Sequence, residues 1–215
     1  MKLLELEDAE IYFYPEKGML DCNTYLIRRD KATLIDPGSM QTVEGLISDL
    51  ERDGVDLEEI ECIVNTHLHL DHCLADDYFR QASGARVLFH PLQKKFYHVV
   101  VGEVAGFFGF SAPQVEEDGI LNELENVEIF ATPGHSPDSI CFFVEGCMIC
   151  GDLVFEESVG RVDMPGGDSG QLKESIGRIA KMDIENLLPG HMGVLKGREN
   201  VKRNFERVKA LLSWL

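Results

Sequence analysis

The sequence predicts an α/β protein, and three observations carry that expectation. Short runs rich in Val, Ile, Phe and Tyr alternate with stretches whose apolar residues recur at helical spacing. Gly, Pro and Asp punctuate the boundaries between the two kinds of stretch. Residues able to bind metal collect where the β-prone runs end, and layered α/β proteins carry their sites at the carboxyl ends of strands. With 215 residues the chain can bury a substantial core without disulfide or metal staples. No repeat, low-complexity tract or clear linker divides it, so residues 1–215 read as one domain.

Residues 9–37 read as strands. The β-prone run 10–14 ends at Pro15, and 24–27 and 32–35 flank the turn-like 29–31 as a hairpin. Asp36-Pro37-Gly38-Ser39 closes the second strand; Asp36 reads first as a loop cap and second as a support for a metal site. Val43, Leu46, Ile47 and Leu50 predict a helix over 42–52, stopped by Asp53-Gly54. The apolar run 60–66 is a short strand that ends at His67. A helix over 71–82 follows, with Leu74, Tyr78 and Phe79 on its inner face, and then a strand over 86–90 ended by Pro91.

Residues 92–119 form a helical insertion, the most aromatic part of the chain, through Phe96, Tyr97, Phe107, Phe108 and Phe110. Gly102, Gly106 and Gly109 weaken a helix there. Buried packing, a lid over substrate and an oligomer contact, such as that of a homodimer, are the roles open to it. His90 and His98 read as packed or surface residues. A strand over 127–131 runs into Thr132-Pro133-Gly134-His135-Ser136-Pro137, whose prolines stiffen the loop around His135. Strands 140–144 and 147–151 flank the two-residue turn Glu145-Gly146 and deliver Asp152. The Gly-rich loop 160–170 carries Arg161, Asp163 and Asp168, without the Gly-Lys-Ser of a phosphate loop. A helix over 172–182, a short strand at 187–188 leading to Pro189-Gly190-His191 and an amphipathic helix over 199–215 complete the chain.

Around these elements the charge is uneven: 38 Asp and Glu face 20 Lys and Arg, a formal net charge of −18. Basic residues occur only in pairs such as Lys94-Lys95, so neither nucleic acid nor an anionic membrane is an expected partner. No apolar run is long enough to span a bilayer, and acids in residues 1–8 stand where a signal peptide needs an apolar run. Of the six cysteines only Cys147 and Cys150 have Cys-x-x-Cys spacing, inside an apolar strand, where both read as small buried hydrophobes. A reduced, cytoplasmic protein is expected.

Asn65-Thr66-His67-Leu68-His69-Leu70-Asp71-His72-Cys73 concentrates three of the chain's 7 His. An extended segment alternating Thr66, Leu68 and Leu70 with His67 and His69 puts both His on one face. Imidazole suits Zn, Fe, Ni and Cu, and a carboxylate widens the choice to Mn. His67, His69, Asp71 and His72 could serve one metal or be split between two.

Taken with the later His135, Asp152 and His191, the pattern His-x-His-x-Asp-His resembles the metallo-β-lactamase fold superfamily over about residues 23–191. The resemblance implies a four-layer αββα sandwich with two divalent metal ions in a shallow groove at one edge of the sheets. By position it implies one metal site at His67, His69 and His135, a second at Asp71, His72 and His191, and Asp152 bridging both. Zinc is the expected metal, with iron or manganese as alternatives. A water between two such cations would have a pKa of about 7 and be the attacking hydroxide. The loops around His135, Arg161 and His191 are similar to those of the glyoxalase II-like branch. This implies a metal-dependent hydrolase of small-molecule acyl thioesters, with Asp71 and Asp152 catalytic and Arg161 binding substrate. Two departures stand out: only residues 192–215 follow His191, where that branch carries a glutathione-gripping helical domain, and Met192 replaces a usual Gly. A mononuclear iron persulfide dioxygenase and a lactone or phosphoester hydrolase are the alternatives within the superfamily. Outside catalysis, the same ligands would suit metal storage or oxygen chemistry.

Overall fold

The computed structural model describes residues 1–212. In chain order they form β1 (Lys2–Glu5), β2 (Glu10–Tyr14), β3 (Thr24–Arg28), β4 (Ala32–Ile35), α1 (Val43–Arg52), β5 (Ile60–Val64), α2 (Leu70–Cys73), α3 (Asp76–Ser83), β6 (Arg86–Phe89) and α4 (Pro91–Tyr97). A π-helical turn at His98–Glu103 leads to α5 (Val104–Phe107), β7 (Gly119–Ile120), β8 (Glu128–Ala131), β9 (Ile140–Val144) and β10 (Cys147–Gly151). A ribbon of β11 (Val154–Phe155) and β12 (Ser158–Val159) precedes α6 (Ser169–Ile179), β13 (Asn186–Pro189), β14 (Leu195–Lys196) and α7 (Arg198–Leu212). The last three positions of the helix expected over 199–215 lie outside the described residues.

Strand alternation builds the layers. In β3, Tyr25 and Ile27 face one way and Leu26 the other; in β9, Ile140, Phe142 and Val144 oppose Cys141. Tyr25, Ile27, Ile35 and Val64 therefore meet Ile140, Phe142, Ile149 and Leu188 in a core between two sheets. On the outer face of the first sheet, Leu26, Leu34 and Ile63 pack against Val43, Leu46 and Leu50 of α1 and Phe79 of α3. On the outer face of the second, Cys141, Met148 and Leu187 pack against Leu172 and Ile176 of α6 and Val201, Phe205 and Val208 of α7. The result is a four-layer αββα sandwich. Burying each large side chain of these cores contributes roughly 1.5–3 kcal/mol. Cys147 and Cys150 face different cores and are free, as are the other four cysteines.

The seven-stranded sheet runs β1-β2-β3-β4-β5-β6-β7, antiparallel up to β4 and parallel from β4 to β7. The five-stranded sheet runs β14-β13-β10-β9-β8, with β10 and β13 parallel. β4 and β5 in one sheet and β10 and β13 in the other are followed at their carboxyl ends by Asp36, the 65–73 stretch, Asp152 and His191.

Three local readings need correction. The helix expected over 71–82 is two helices, because the Ala75 amide leaves the helical ladder to donate to the Gly38 carbonyl (3.0 Å). Tyr78, expected inside, is exposed, while Phe79 and the carboxylate of Asp76 are buried; Asn65 Nδ2 donates to Asp76 at 2.6 Å. The acidic N-terminus, read only as lacking a signal, forms the edge strand β1. Phe79→Ala is expected to cost about 3–5 kcal/mol in chemical denaturation, and Tyr78→Ala to stay within about 0.5 kcal/mol of the parent.

Candidate active site

Five imidazoles and two carboxylates, Asp71 and Asp152, meet at the edge of the sandwich. β5 ends at Val64, and the turn after it brings in His67 and His69 before α2 supplies Asp71 and His72. Leu68, between the first two His, is pinned: Asp138 accepts its amide at 3.0 Å and is itself held by the Ser136 hydroxyl at 2.6 Å. Burial raises the Asp138 carboxyl to about 6.

Four of the five imidazoles have Nδ1 tied to a partner that leaves Nε2 facing the others. Thr66 Oγ1 donates to Asp36 (2.7 Å) and so can accept from His67 Nδ1 at 3.1 Å. His135 Nδ1 donates to the Arg161 carbonyl at 2.7 Å, and His72 Nδ1 to Asp36 at 3.0 Å. His191 Nδ1 donates to Glu16 at 2.8 Å. Such partners fix tautomer and ring orientation, as they do around metal-bound histidines.

The free nitrogens converge. His67 Nε2 and His135 Nε2 lie 3.0 and 2.9 Å from His69 Nδ1. A proton on His69 Nδ1 could satisfy only one of the two lone pairs, whereas a cation among the three could satisfy all. Beside this group His72 Nε2 lies 3.6 Å from Asp152 Oδ1, and His191 Nε2 lies 3.4 Å from Asp71. Asp152 stands between the groups: Oδ1 faces His72, while Oδ2 is 3.5 Å from both His135 and His191. His67, His69 and His135 form one candidate ligand set, and Asp71, His72 and His191 another, with ligand atoms within 4.8 Å of one another in each.

The donor set fits divalent cations on two counts. His72 Nε2 and Asp152 Oδ1 are buried without a hydrogen-bond partner, a costly state for polar atoms. The electrostatics divide the imidazoles as well. Burial, reinforced by neighbouring imidazoles, holds His67 and His69 well below the ordinary histidine range, and burial lowers His135, so these three stay neutral ligands. Burial also opposes charge on His72 and His191, yet Asp36, Asp71 and Asp152 raise His72 to about 9, and Asp71, Asp152 and Glu16 raise His191 to about 10. Partial burial opposes charge on Asp71 too, but His72 and His191 hold its carboxyl below the usual range. A field that holds protons this firmly would also hold a cation.

Glycine keeps the site tight. A Cβ on Gly190 would strike Asp152 Oδ1 and come within 2.8 Å of His72, and one on Gly151, which has φ +49°, would strike Thr66.

All seven residues expected as ligands thus come together. Arg161 touches the site through its carbonyl; its exposed guanidinium pairs with Asp163 at 2.7 and 2.8 Å. His90 caps α4, accepting from the Leu92 amide at 3.2 Å, and His98 is exposed. Asp36 is no loop cap. It is fully buried, sits at φ +52° and ties the Thr66 amide and hydroxyl to His72. Glu16 had no sequence signal as a support because its partner His191 is 175 residues away, and Thr66 had none because it acts through the distant Asp36.

Comparison with known proteins agrees with this architecture. The model of the metallo-beta-lactamase superfamily matches residues 18–191. A probable metallo-hydrolase of Methanocaldococcus jannaschii is 36% identical over 182 residues, covering 79% of this chain and 86% of that protein. A hydroxyacylglutathione hydrolase of Chromohalobacter salexigens is 30% identical over 184 residues, covering 82% of this chain and 64% of that enzyme. The crystal structure of TTHA1623 in a di-iron-bound form superimposes with a TM-score of 0.71 at 28% identity, covering 85% of this chain and 94% of that one. With its sandwich, its converging histidines and a family match spanning most of its length, the chain belongs to the metallo-beta-lactamase superfamily.

Proposed function

We propose that this metallohydrolase cleaves small-molecule acyl thioesters with two divalent metal ions, and that nucleic acid and membranes are not its partners. One observation carries the binuclear reading: the Asp152 carboxylate lies against both imidazole groups, 3.5 Å from His135 of one and 3.6 and 3.5 Å from His72 and His191 of the other. His67, His69 and His135 would hold one ion, Asp71, His72 and His191 the other, and Asp152 would serve both. The ions would supply Lewis acidity and lower the pKa of a water at the site to about 7. Zinc is our expectation for their identity, and the di-iron form of a structural relative supports iron as the alternative. Asp71, only part-buried, reaches the groove and would orient the attacking water as an acceptor. Arg161 stands on the 160–168 loop, where its carbonyl holds His135, and its exposed guanidinium, paired with Asp163, would meet the substrate.

The inventory of proton donors favours a thioester. A thiolate leaves without strong general-acid help, whereas an amine does not. Five of the chain's 7 His are in the ligand groups, His90 caps a helix and His98 is remote in sequence and exposed, so none is left as an acid. Similarity to a hydroxyacylglutathione hydrolase supports the same reaction class, although this chain spans only 64% of that enzyme.

Asp152→Ala removes the anion that would be shared by two close cations. Elemental analysis of the purified variant should show loss of at least one ion, and turnover should fall at least about a hundredfold; full metal retention with near-normal turnover would reject the role. His90→Ala and His98→Ala should keep the parent's metal content.

The reaction itself is tested by following free thiol released from S-D-lactoylglutathione and from a coenzyme A thioester, alongside oxygen uptake with glutathione persulfide. Thiol release without oxygen uptake is expected. Oxygen uptake without thioester cleavage in iron-loaded protein would favour a persulfide dioxygenase, and inactivity in both would point to lactones or phosphoesters.

A further inference from the structure

Two residues beside the site hold a backbone conformation that side chains disfavour. Leu20 has φ +61° and Met192 has φ +66°, in the left-handed region where glycine is at ease. Both side chains are apolar and exposed, each at 53%. Both are left about half exposed in this conformation, and residues kept in such a state cluster where a ligand is gripped.

They are not isolated. Met192 follows the ligand His191, and its carbonyl accepts from Asn23 Nδ2 at 2.8 Å. The Asn23 amide donates to the Gly190 carbonyl at 2.7 Å, so the loop carrying Met19 and Leu20 is tied to the loop carrying His191. Asp21 in turn accepts from Thr42 Oγ1 at 2.7 Å, and the Gly38 amide donates to the His72 carbonyl at 3.1 Å, which ties in the loop carrying Met40. Met19 at 91% and Met40 at 49% exposure complete a set of four large apolar side chains on three bonded loops beside His72 and His191. Scattered exposed apolar residues need no explanation, but a group bordering a reactive centre does. Methionine's unbranched, polarizable chain suits a flexible hydrocarbon.

We infer that Met19, Leu20, Met40 and Met192 form an apolar rim that receives the acyl chain of the substrate, so that the enzyme prefers medium or long hydrophobic acyl groups. The inference rests on the thioester reading and deepens it. Charge orients the substrate in the same sense. Glu16 lies beside His191 on the rim's side and disfavours an anionic thiol moiety there, whereas Arg161 lies on the loop that holds His135. The acyl chain therefore points to Met192 and the thiol half to Arg161.

Binding and turnover separate this inference from the reading beneath it. With the metal-loaded full chain, calorimetry compares two non-hydrolysable thioethers, S-octyl- and S-ethyl-coenzyme A, and thiol release compares octanoyl- with acetyl-coenzyme A. The octyl thioether should bind at least about tenfold more tightly than the ethyl one, as partial burial of the added methylenes requires. That ratio should fall toward one in Met192→Gly and in Leu20→Gly. Met192→Gly should melt no lower than the parent, because glycine suits its φ, so lost preference cannot be attributed to unfolding. A ratio near one in the parent, or a ratio unchanged in both variants, overturns the rim. Chain-length-dependent binding without thiol release keeps the rim and rejects the thioester reading; thiol release with equal binding does the reverse.

Discussion

One carboxylate sets the geometry of the site. Asp152 has imidazoles from three different segments around it, His135 of one candidate ligand group and His72 and His191 of the other. Close packing of charge and lone pairs at the edge of a protein is unfavourable unless a cation or protons intervene. The chain accepts that arrangement because its scaffold is rigid. β5, β10 and β13 end at the same edge, Gly190 leaves room against Asp152 where any side chain would collide, and Gly151 does the same against Thr66.

Support reaches the site from several directions. Asp36 at the end of β4 holds the Thr66 amide and hydroxyl together with His72, so one buried carboxylate couples both candidate ligand groups. Asp138 does comparable work for the turn between His67 and His69, through the Leu68 amide. Glu16 reaches His191 from the loop after β2. Contacts of this kind fix which nitrogen carries the proton in His72 and His191, and so which nitrogen is offered inward.

Much of this was legible in the sequence because it is local. Alternation in 24–27 and 140–144 gives strands with two buried faces, and the three closely spaced His with Asp71 declare ligands within one turn of chain. His135, Asp152 and His191 were legible only as residues after strand ends, joined by a family resemblance. What was not legible depends on distant partners. Asp36-Pro37-Gly38 carries every local sign of a turn, and nothing near it shows that its carboxylate meets His72. The break between α2 and α3 is set by a bond from Ala75 to Gly38, so helical periodicity ran straight through it. Arg161 was read for its charge, yet its carbonyl is what holds His135. The exposed Met192 was visible as a departure from a usual glycine, but its left-handed backbone was not.

The central claim is that two cations share Asp152. It is tested most directly by titrating zinc into chelator-stripped protein under calorimetry. The account predicts two ions bound per chain, with Asp152→Asn weakening the association of both. Saturation at one ion, or two ions bound with affinities indifferent to Asp152→Asn, would contradict it.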